Sequence, residues 1–391
     1  MNLYEFLESK PLYYKEIDHK RVHIAYALLK SHIKHPRVVH IVGTNGKGST
    51  GRIISHLASK SLSVGHYSSP HILKFNERIW LNGADISDEK LELSHKKLFN
   101  ILGKKMSDSL SYFEYTTLLA FVSFEECDLI VLEAGLGGEF DATNVCSKEL
   151  SVITPIGVDH QAFLGDTIEQ IASTKIRSIQ KKVLLAPQVY NEVYTIAKDI
   201  AFSKNAKIFR VNLNIEKYNT ILNIAKKKLW ASYLVDNAMV ALRALDILNI
   251  TYHINDLENL ELFGRFYPLA KNIRIDVGHN PLAAKAIVGA LSSKVVLIYN
   301  SLDDKDYEEV LRILKPKLKR VEVLAINSQR ATTQEAIESA LKSVELEYSS
   351  FNNILNNDEE YLVFGSFYVV EEFLNLIKTK KLELINEKNI D

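Results

Sequence analysis

A glycine-rich loop with a lysine at its centre is the first candidate binding site along the sequence. The loop reads Gly43-Thr44-Asn45-Gly46-Lys47-Gly48-Ser49-Thr50. An apolar run at 38–42 precedes it and a helix-like stretch follows. Backbone N–H groups and a helix N-terminus attract phosphate oxygens, and Lys47 adds a full positive charge. Ser49 or Thr50 could cap the helix, contact a phosphate or approach Mg²⁺.

The loop does not meet the strict G-x-x-x-x-G-K-[ST] pattern, because Ile41 and Gly48 occupy two of its fixed positions. It keeps the order of strand, glycine loop, lysine, hydroxyl and helix. We therefore predict a phosphate site, and the alternative is a glycine-rich turn with a solvated lysine.

A second glycine cluster follows another apolar run. The chain has 16 glycines, a low share, and Gly135, Gly137 and Gly138 lie together directly after residues 128–134. Glu133 ends the apolar strand LIVLE within that run, so its carboxylate could face the phosphate loop from a neighbouring strand. The alternative for Glu133 is a helix-capping or surface acid.

Three further residues are ambiguous from their type alone. His160 follows the strand-like stretch 151–156 and could be a general base or a core histidine. Lys175 lies in a helical stretch, where a lysine is normally solvated. Ser69 precedes Pro70, which by itself indicates only a turn.

Predicted strands and helices alternate along the chain around these residues. Strand-like and helix-like segments follow one another from residue 38 to about 248, and a second set of strands begins at 273. This alternation predicts an α/β fold with mostly parallel sheets covered by helices. The periodicity breaks at 263–270, which predicts a boundary between a larger N-terminal and a smaller C-terminal domain.

Composition excludes several classes of protein. The 48 basic and 48 acidic residues cancel, which argues against a general nucleic-acid binder. The sequence contains no run of 18 or more apolar residues, so we predict no transmembrane helix. The first 20 residues contain no apolar signal region. Two cysteines exclude a disulfide scaffold, so we expect a cytoplasmic protein.

An ordered set of motifs resembles one enzyme family. GTNGKGS (43–49), HYSSPHILKFNERI (66–79), SYFEYTTLLAF (111–121) and LEAGLGGEFDATN (132–144) are similar to the folylpolyglutamate synthase/dihydrofolate synthase family of Mur ligase-like enzymes. The likeness continues through GVDHQAFLG (157–165), DVGHNP (276–281), DDKD (303–306) and GSFY (365–368). It implies a Mur ligase-like fold with a phosphate-loop domain at 1–266 and a Rossmann-like domain at 267–391.

The resemblance implies an ATP- and Mg²⁺-dependent ligase that adds L-glutamate to dihydropteroate or a folate through an acyl phosphate. We expect the bifunctional bacterial type, acting as a monomer on small molecules, without a nucleic-acid or membrane partner. The alternatives are a folylpolyglutamate synthase only, and a phosphate-loop kinase or regulatory ATPase. Retention of ligation by Lys47→Ala would contradict the catalytic role of that lysine.

The resemblance also assigns roles to residues. Lys47, Lys175 and His160 are implied as catalytic, with Lys175 carbamylated, and Ser69, Glu133 and His160 as ligands of two Mg²⁺ ions. The nucleotide is expected between the domains. Its implied contacts are Thr44, Asn45, Gly46, Lys47, Gly48, Ser49, Thr50, Asn237, Arg265, Asp276 and His279. Arg265 could instead form a hinge ion pair, and Asp276 could cap the following helix.

Seven residues resemble the family's substrate-binding set: Ser68, Pro70, His71, Arg78, Phe113, Glu114 and Asp141. Phe113 could equally be a core aromatic residue. The family's usual Gly-Gly-Arg-Leu-Asp is Gly-Gly-Glu-Phe-Asp here, with Glu139 and Phe140. The loss of an arginine there could alter recognition of the substrate's glutamate carboxylates.

Overall fold

The computed structural model describes residues 2–10, 18 and 20–385 of the 391-residue chain. The chain divides into two compact units. The first unit contains residues 1–157, 161–217 and 237–260, and the second contains 158–160, 218–236 and 261–391.

The first unit is built on an eight-stranded sheet in the described residues. Its strands are β1 (Arg37–Val42), β2 (Val64–Tyr67), β3 (Ile79–Leu81), β4 (Ala84–Asp85), β5 (Leu129–Glu133), β6 (Leu150–Ile153), β7 (Lys182–Leu185) and β8 (Lys207–Arg210). Their order is β4-β3-β2-β5-β1-β6-β7-β8. The pairings of β3 with β2 and with β4 are antiparallel, and the other pairings are parallel, so β3 alone runs in the opposite direction.

Helices and short 3₁₀ turns connect these strands. The helices of the first unit are α1 (Leu3–Glu8), α2 (Arg21–Leu29), α3 (Lys47–Ala58), α4 (Asp88–Ser109), α5 (Tyr112–Ser123), α6 (Gln161–Leu164), α7 (Ile168–Ile176) and α8 (Asn191–Ser203). Two more, α9 (Ile215–Lys228) and α10 (Ser232–Leu248), have residues in both units. The 3₁₀ turns of the first unit are Lys30–His32, Phe75–Arg78, Ala142–Val145 and Ile254–Asn259, and a further one, Lys315–Lys317, lies in the second unit.

The central strands of this sheet are apolar because both of their faces are covered. All residues of β5 are buried, and so are those of β1 after Arg37. Parallel strands covered on both faces have this near-continuous apolar character. The arrangement places the carboxyl ends of β1, β2 and β5 side by side, which is where ligands bind in such sheets.

Local signals set where the helices begin. The side chain of Ser111 accepts a hydrogen bond from the backbone N–H of Glu114 at 3.1 Å, and the carboxylate of Glu114 accepts one from the N–H of Ser111 at 2.7 Å. This capping box fixes the start of α5. Helix α3 begins differently, because its N-cap is Gly46 in a left-handed conformation without a side-chain cap.

The second unit has a six-stranded sheet and a two-stranded sheet in the described residues. Its strands are β9 (Tyr267–Ala270), β10 (Ile273–Asp276), β11 (Val295–Tyr299), β12 (Leu318–Val323), β13 (Tyr348–Ser350), β14 (Ile354–Asn356), β15 (Tyr361–Phe364) and β16 (Glu383–Ile385). The larger sheet has the order β13-β12-β11-β15-β10-β9, with only β9 antiparallel, and β14 pairs with β16. Its helices are α11 (Pro281–Ala290), α12 (Tyr307–Leu314), α13 (Gln334–Ser343) and α14 (Phe367–Lys378).

The predicted α/β class with two mostly parallel sheets is confirmed. The long, apolar strands lie within a few residues of their predicted positions; β5, for example, is Leu129–Glu133 where 128–134 is predicted. Among the described residues, no helix combines the length and the apolar character needed to cross a membrane.

Candidate nucleotide-binding and ligase site

The loop between β1 and α3 depends on glycine at two positions. Gly46 has φ +82°, and a Cβ there would lie 2.7 Å from Oδ1 of Asn237. A Cβ on Gly43 would lie 2.0 Å from Oγ1 of Thr154. Because positive φ and such close approach both exclude ordinary side chains, the backbone of this loop is held in one tight path.

Two lysines meet at this loop. The Nζ of Lys47 lies 3.2 Å from the carbonyl oxygen of Gly43 and 3.1 Å from that of Thr44. The Nζ of Lys175, on α7, donates to the same Gly43 carbonyl at 3.1 Å. Lys175 is only 3% exposed. Two cationic groups therefore converge on one oxygen, which makes this corner of the loop a place where an anion would be stabilised.

The hydroxyl groups of the loop are also positioned by other segments of the first unit. Ser49 is buried, and its Oγ accepts a hydrogen bond from Nδ2 of Asn237 at 2.8 Å. Thr44 exchanges hydrogen bonds with the backbone of Gly157 through its Oγ1, at 2.9 and 3.0 Å. The Oγ1 of Thr50 is buried and has no hydrogen-bond partner in the part of the chain that the structure describes.

The backbone of the loop is anchored in the same way. The N–H of Asn45 donates to the carbonyl of Pro155 at 3.2 Å, and Gly48 lies in the first turn of α3. The structure thus brings the predicted nucleotide residues 44–50 and Asn237 together in the first unit.

Glu133 lies beside this loop in the sheet. It is the last residue of β5, pairs with Ile41 of β1, and is 5% exposed. Ser69 follows the carboxyl end of β2, which is the neighbour of β5 on its other side. Three adjacent strands therefore bring candidate ligands to the same edge of the sheet: β5 ends with Glu133, Ser69 follows β2, and the glycine loop follows β1.

The second glycine cluster packs against the helix that carries Lys175. A Cβ on Gly138 would lie 2.5 Å from the carbonyl oxygen of Lys175, so this close contact of two backbones needs glycine. The N–H of Glu139 donates to the carbonyl of Thr174 at 2.9 Å, and the carboxylate of Glu139 pairs with Arg177 at 3.4 Å. Residues 138–139 thus fix the position of α7.

Asp141 holds the second glycine cluster in shape. Its carboxylate accepts hydrogen bonds from the N–H groups of Gly135, Leu136 and Thr143, each at 2.9 Å, and from Oγ1 of Thr143 at 2.5 Å. Burial raises the pKa of Asp141 above its ordinary value, although these hydrogen bonds oppose the shift. The geometry gives Asp141 an organising role within the loop.

The other predicted substrate residues lie in the first turn of α5 or directly after β2. The ring of Phe113 packs on Gly135, where a Cβ would be 2.5 Å from its Cζ atom. Glu114 caps α5 and also accepts hydrogen bonds from Nε and Nη2 of Arg21, at 3.0 and 2.7 Å. Ser68 donates its N–H to the carbonyl of Arg78 at 3.0 Å, and Pro70 is exposed.

His71 and Arg78 form a pair beside a cavity. The Nε of Arg78 donates to Nδ1 of His71 at 2.8 Å. Burial and the charge of Arg78 lower the pKa of His71 to about 4, so His71 is neutral at neutral pH. A cavity of about 420 Å³ is lined by Tyr4, Leu7, Glu8, Lys10, His71, Phe75 and Tyr112.

In the second unit, Asp276 is surrounded by donors. Its carboxylate accepts hydrogen bonds from the hydroxyl of Tyr233 and from the N–H groups of Phe266 and Gly278, each at 2.7 Å. Burial raises the pKa of Asp276 against the effect of these bonds and of Arg265. Asp276 therefore fixes the turn that carries Arg265.

Arg265 and His279 stand on either side of this carboxylate in sequence. The guanidinium of Arg265 lies over the ring of Phe367 at 5.4 Å, and its Nη1 donates to the carbonyl of Gly264 at 3.1 Å. Nδ1 of His279 is 3.2 Å from the carbonyl of Val277. His160 has φ +55°, a left-handed conformation that histidine tolerates better than bulky residues do.

Several residues that support the site were not predicted from the sequence. Tyr233 and Phe367 hold Asp276 and Arg265, and Arg21 holds Glu114. Asp159 contacts both His279 and Lys305 in the second unit. Tyr233 precedes Asn237 by one helical turn, and that spacing is the one signal in the sequence that could have indicated it.

The donor set suits a hard cation. Glu133 and Ser69 offer oxygen ligands, and Mg²⁺ retains several waters, so that few protein ligands are needed. Within residues 2–10, 18 and 20–385, no three His, Cys, Asp or Glu side chains cluster as a metal site. A site with two protein oxygens fits the residues present better than a closed protein cage would.

Comparison with known proteins agrees with this geometry. A family model, the Mur ligase middle domain, matches residues 41–245. The dihydrofolate synthase/folylpolyglutamate synthase of Haemophilus influenzae is 30% identical, and the alignment covers 88% of this chain and 89% of that protein.

Two solved structures extend the likeness over the whole fold. Helicobacter pylori folylpolyglutamate synthetase is 40% identical, with a TM-score of 0.78 over 96% of this chain and 98% of that one. E. coli FolC in complex with DHPP and ADP is 27% identical, with a TM-score of 0.80 over 96% and 97%. The family predicted from the motifs is thereby confirmed: the chain belongs to the Mur ligase family, among the dihydrofolate synthase/folylpolyglutamate synthases.

Proposed function

We propose that this chain is a bifunctional ATP-dependent ligase that joins L-glutamate to dihydropteroate and to reduced folates. One observation carries the proposal. The loop at 43–50, with Lys47 and Lys175 directed at one carbonyl oxygen, lies in a chain that matches folate ligases along nearly its whole length. A loop of this kind accommodates the phosphates of a nucleotide.

The reaction proceeds in two steps. A carboxylate oxygen of the acceptor attacks the γ-phosphorus of ATP, the bond to the β-phosphate oxygen breaks, and ADP leaves. The amino group of glutamate then attacks the carbonyl carbon of the acyl phosphate, loses a proton and displaces phosphate. The protein contributes mainly by positioning the reactants and by stabilising the charge that develops on the phosphoryl group.

The residues that we propose as nucleotide contacts belong partly to the first unit and partly to the second. Lys47 and the N–H groups of the first turn of α3 would face the phosphates, while Asn237 fixes Ser49 and lies against Gly46. Arg265, Asp276 and His279 come from the second unit. Asp276 acts through its hydrogen bonds to the turn at Phe266 and Gly278, which directs Arg265.

Glu133 and Ser69 would hold Mg²⁺ at the carboxyl ends of β5 and β2, and His160 would serve a second ion. A bound Mg²⁺ neutralises phosphate charge and orients the phosphoryl group. Imidazole is an unusual Mg²⁺ ligand, and the role of His160 follows from its place in the motif GVDHQAFLG.

Lys175 would carry a carbamate. Carbon dioxide would add to the neutral Nζ amine, a new N–C bond would form, and one proton would leave. The product is an anion beside Lys47, where the unmodified lysine places a second positive charge. The burial of Lys175 and this like-charge proximity support the proposal.

The acceptor would use the predicted substrate residues of the first unit. The cavity beside His71 has aromatic walls at Phe75 and Tyr112, which suit a flat ring. Lys10 contributes a cation to the same cavity, and burial lowers the pKa of this lysine to about 8. We place the acceptor on this side of α5.

The decisive experiment is an amide-formation assay with ATP, Mg²⁺ and L-glutamate. It compares dihydropteroate with a reduced monoglutamyl folate as acceptor. We expect product and stoichiometric phosphate with each acceptor, and little phosphate release when glutamate or acceptor is omitted. Substantial phosphate release without acceptor would instead indicate an ATPase.

A narrower activity, folylpolyglutamate synthase only, is the second candidate. The Helicobacter pylori structure with 40% identity is described solely as a folylpolyglutamate synthetase. Product from the reduced folate but none from dihydropteroate would establish this narrower activity.

Domain bounds and oligomeric state follow from the same family resemblance. We propose functional domains at 1–266 and 267–391, and a cytoplasmic monomer that acts on small molecules. Sedimentation analysis at assay concentrations would test the monomer, because a dimer would have about twice the mass.

A further inference from the structure

One buried carboxylate in the second unit connects three separate loops. The side chain of Asp159 is 7% exposed, and its Oδ1 accepts a hydrogen bond from Nζ of Lys305 at 2.7 Å. Its Oδ2 accepts one from Nδ2 of Asn280 at 3.2 Å and lies 3.6 Å from Nε2 of His279. Asp159 thereby contacts residues more than a hundred positions away in the sequence.

The two loops that Asp159 contacts begin at the same edge of the second sheet. Asn280 and His279 follow the carboxyl end of β10, and Lys305 follows that of β11. Strand β15 separates β10 from β11, and all three are parallel. Ligands of such sheets bind at the carboxyl ends of the strands, so Asp159 sets the distance between two loops at a position suited to binding.

Asp159 supports two of its partners in different ways. The side chain of Lys305 is 3% exposed, and its ammonium also lies 3.4 Å from the carboxylate of Asp304. A buried ammonium is stable only with such partners. Asn280 is the N-cap of α11, since its Oδ1 accepts from the N–H of Ala283 at 2.9 Å. Asp159 therefore also fixes where α11 begins.

We propose that Asp159 is a positioning residue of the ligase: its carboxylate holds Lys305 and His279 at the carboxyl edge of the second sheet. It acts through these two residues and contacts no substrate itself. The inference deepens the proposed function, on which it rests, because it explains how His279 is oriented for the nucleotide.

The experiment compares Asp159→Asn, Lys305→Met and the double variant. Asparagine preserves the size of the side chain but cannot neutralise Lys305. Removing both groups eliminates the unpaired buried charge, so the double variant should recover the melting temperature lost in Asp159→Asn. Glu322→Gln is the control, because it removes a buried carboxylate, 9% exposed, from another ion pair of this unit, while Arg320 keeps its second partner Glu359.

We expect Asp159→Asn to lower kcat by roughly 10- to 100-fold through misplacement of reacting groups, with the KM of the folate acceptor unchanged. The double variant should keep the low kcat despite its restored melting temperature. The control should keep the kcat of the unaltered enzyme. Recovery of kcat in the double variant, or an equal loss in the control, would overturn the positioning role and leave Asp159 as a neutraliser of Lys305.

The two proposals can fail separately. Absence of amide product from the unaltered enzyme with both acceptors would reject the ligase function. The melting temperatures of the single and double variants would still report whether Asp159 and Lys305 are coupled.

Discussion

The ammonium groups of Lys47 and Lys175 are directed to the same acceptor, the carbonyl oxygen of Gly43, at 3.2 and 3.1 Å. The two residues are far apart in the sequence and come from different helices of the first unit, α3 and α7. Two cationic groups directed at one oxygen create a positive potential at this corner of the loop, which suits a bound phosphate, and the carbamate proposed for Lys175 would reverse the sign of one of them. The first two predictions test these possibilities.

Replacement of Lys47 by alanine should abolish most of the ligase activity without unfolding the protein. Its side chain adds charge at the start of α3 and is not part of a core. Loss of one preorganised electrostatic group typically lowers kcat by about 10²–10³-fold. Steady-state kinetics with both acceptors measures this, with Lys60→Ala, an exposed lysine just beyond α3, as the control.

Replacement of Lys175 by alanine should also abolish activity, and added acetate or formate should restore part of it. The small carboxylate would occupy the place of the proposed carbamate and supply its negative charge. Acetate should not change the activity of Lys148→Ala, which removes another buried lysine. Intact mass spectrometry in bicarbonate gives an independent test: a Lys175 that never gains the mass of carbon dioxide contradicts the carbamate.

The sequence was sufficient to predict those parts of the fold that are determined locally. The strand at 38–42 and the glycine loop after it have their signals in adjacent residues. Strand β2 was not predicted, because Gly65 and His66 interrupt its apolar character. Gly65 is needed there for a tertiary reason: a Cβ would lie 2.3 Å from the ring of Phe124.

The same distinction separates the predicted from the overlooked site residues. Lys47 is recognisable because its glycines and hydroxyls are its neighbours in sequence. The bond between Tyr233 and Asp276 spans 43 positions, and that between Asp159 and Lys305 spans 146. Contacts of this kind arise only when the chain has folded, so no local pattern records them.

Substitution of Gly138 by alanine should destabilise the first unit and impair activity. The new methyl group would lie 2.5 Å from the backbone oxygen of Lys175, which cannot move as a flexible side chain could. Overpacking of this kind costs about 1–3 kcal/mol. Gly289→Ala in α11 is the matched control, because its Cβ meets nothing within 4 Å and alanine favours helix by up to about 1 kcal/mol. Urea denaturation measures the free energy of unfolding of both variants. A Gly138→Ala variant as stable as the unaltered protein would contradict this account.

The free energy of unfolding should increase as the pH rises above 8, because Lys148 loses its proton in the folded protein first. Burial lowers the pKa of this lysine to about 8, while its Nζ donates to the carbonyl of Ser178 at 2.7 Å. Between pH 8 and the ordinary pKa near 10.5, the unfolded chain binds a proton that the folded chain has released, so the free energy of unfolding increases with pH. The gain amounts to about 2 kcal/mol between pH 8 and 9.5.

Lys148→Met removes this titrating group. The difference in free energy of unfolding between the unaltered protein and the variant should therefore shift in favour of the unaltered protein over this range, as measured by urea denaturation at several pH values. Parallel pH profiles for the two proteins would show that Lys148 titrates alike in the folded and unfolded chains.

The hydrogen bond from Tyr233 to Asp276 should support both stability and the placement of Arg265. Tyr233→Phe leaves the ring in place but removes one of three donors to a buried carboxylate. Hydrogen bonds to charged groups contribute about 1.5–3 kcal/mol, so the free energy of unfolding should fall by that amount.

If Asp276 acts by fixing the turn at Phe266, the KM for ATP should rise in Tyr233→Phe while the KM for the folate acceptor stays the same. Tyr267→Phe, which alters a partly buried tyrosine on the adjacent β9, serves as the control. An equal rise in both KM values would indicate a general loosening of the second unit and would argue against a specific role for this hydrogen bond in placing Arg265.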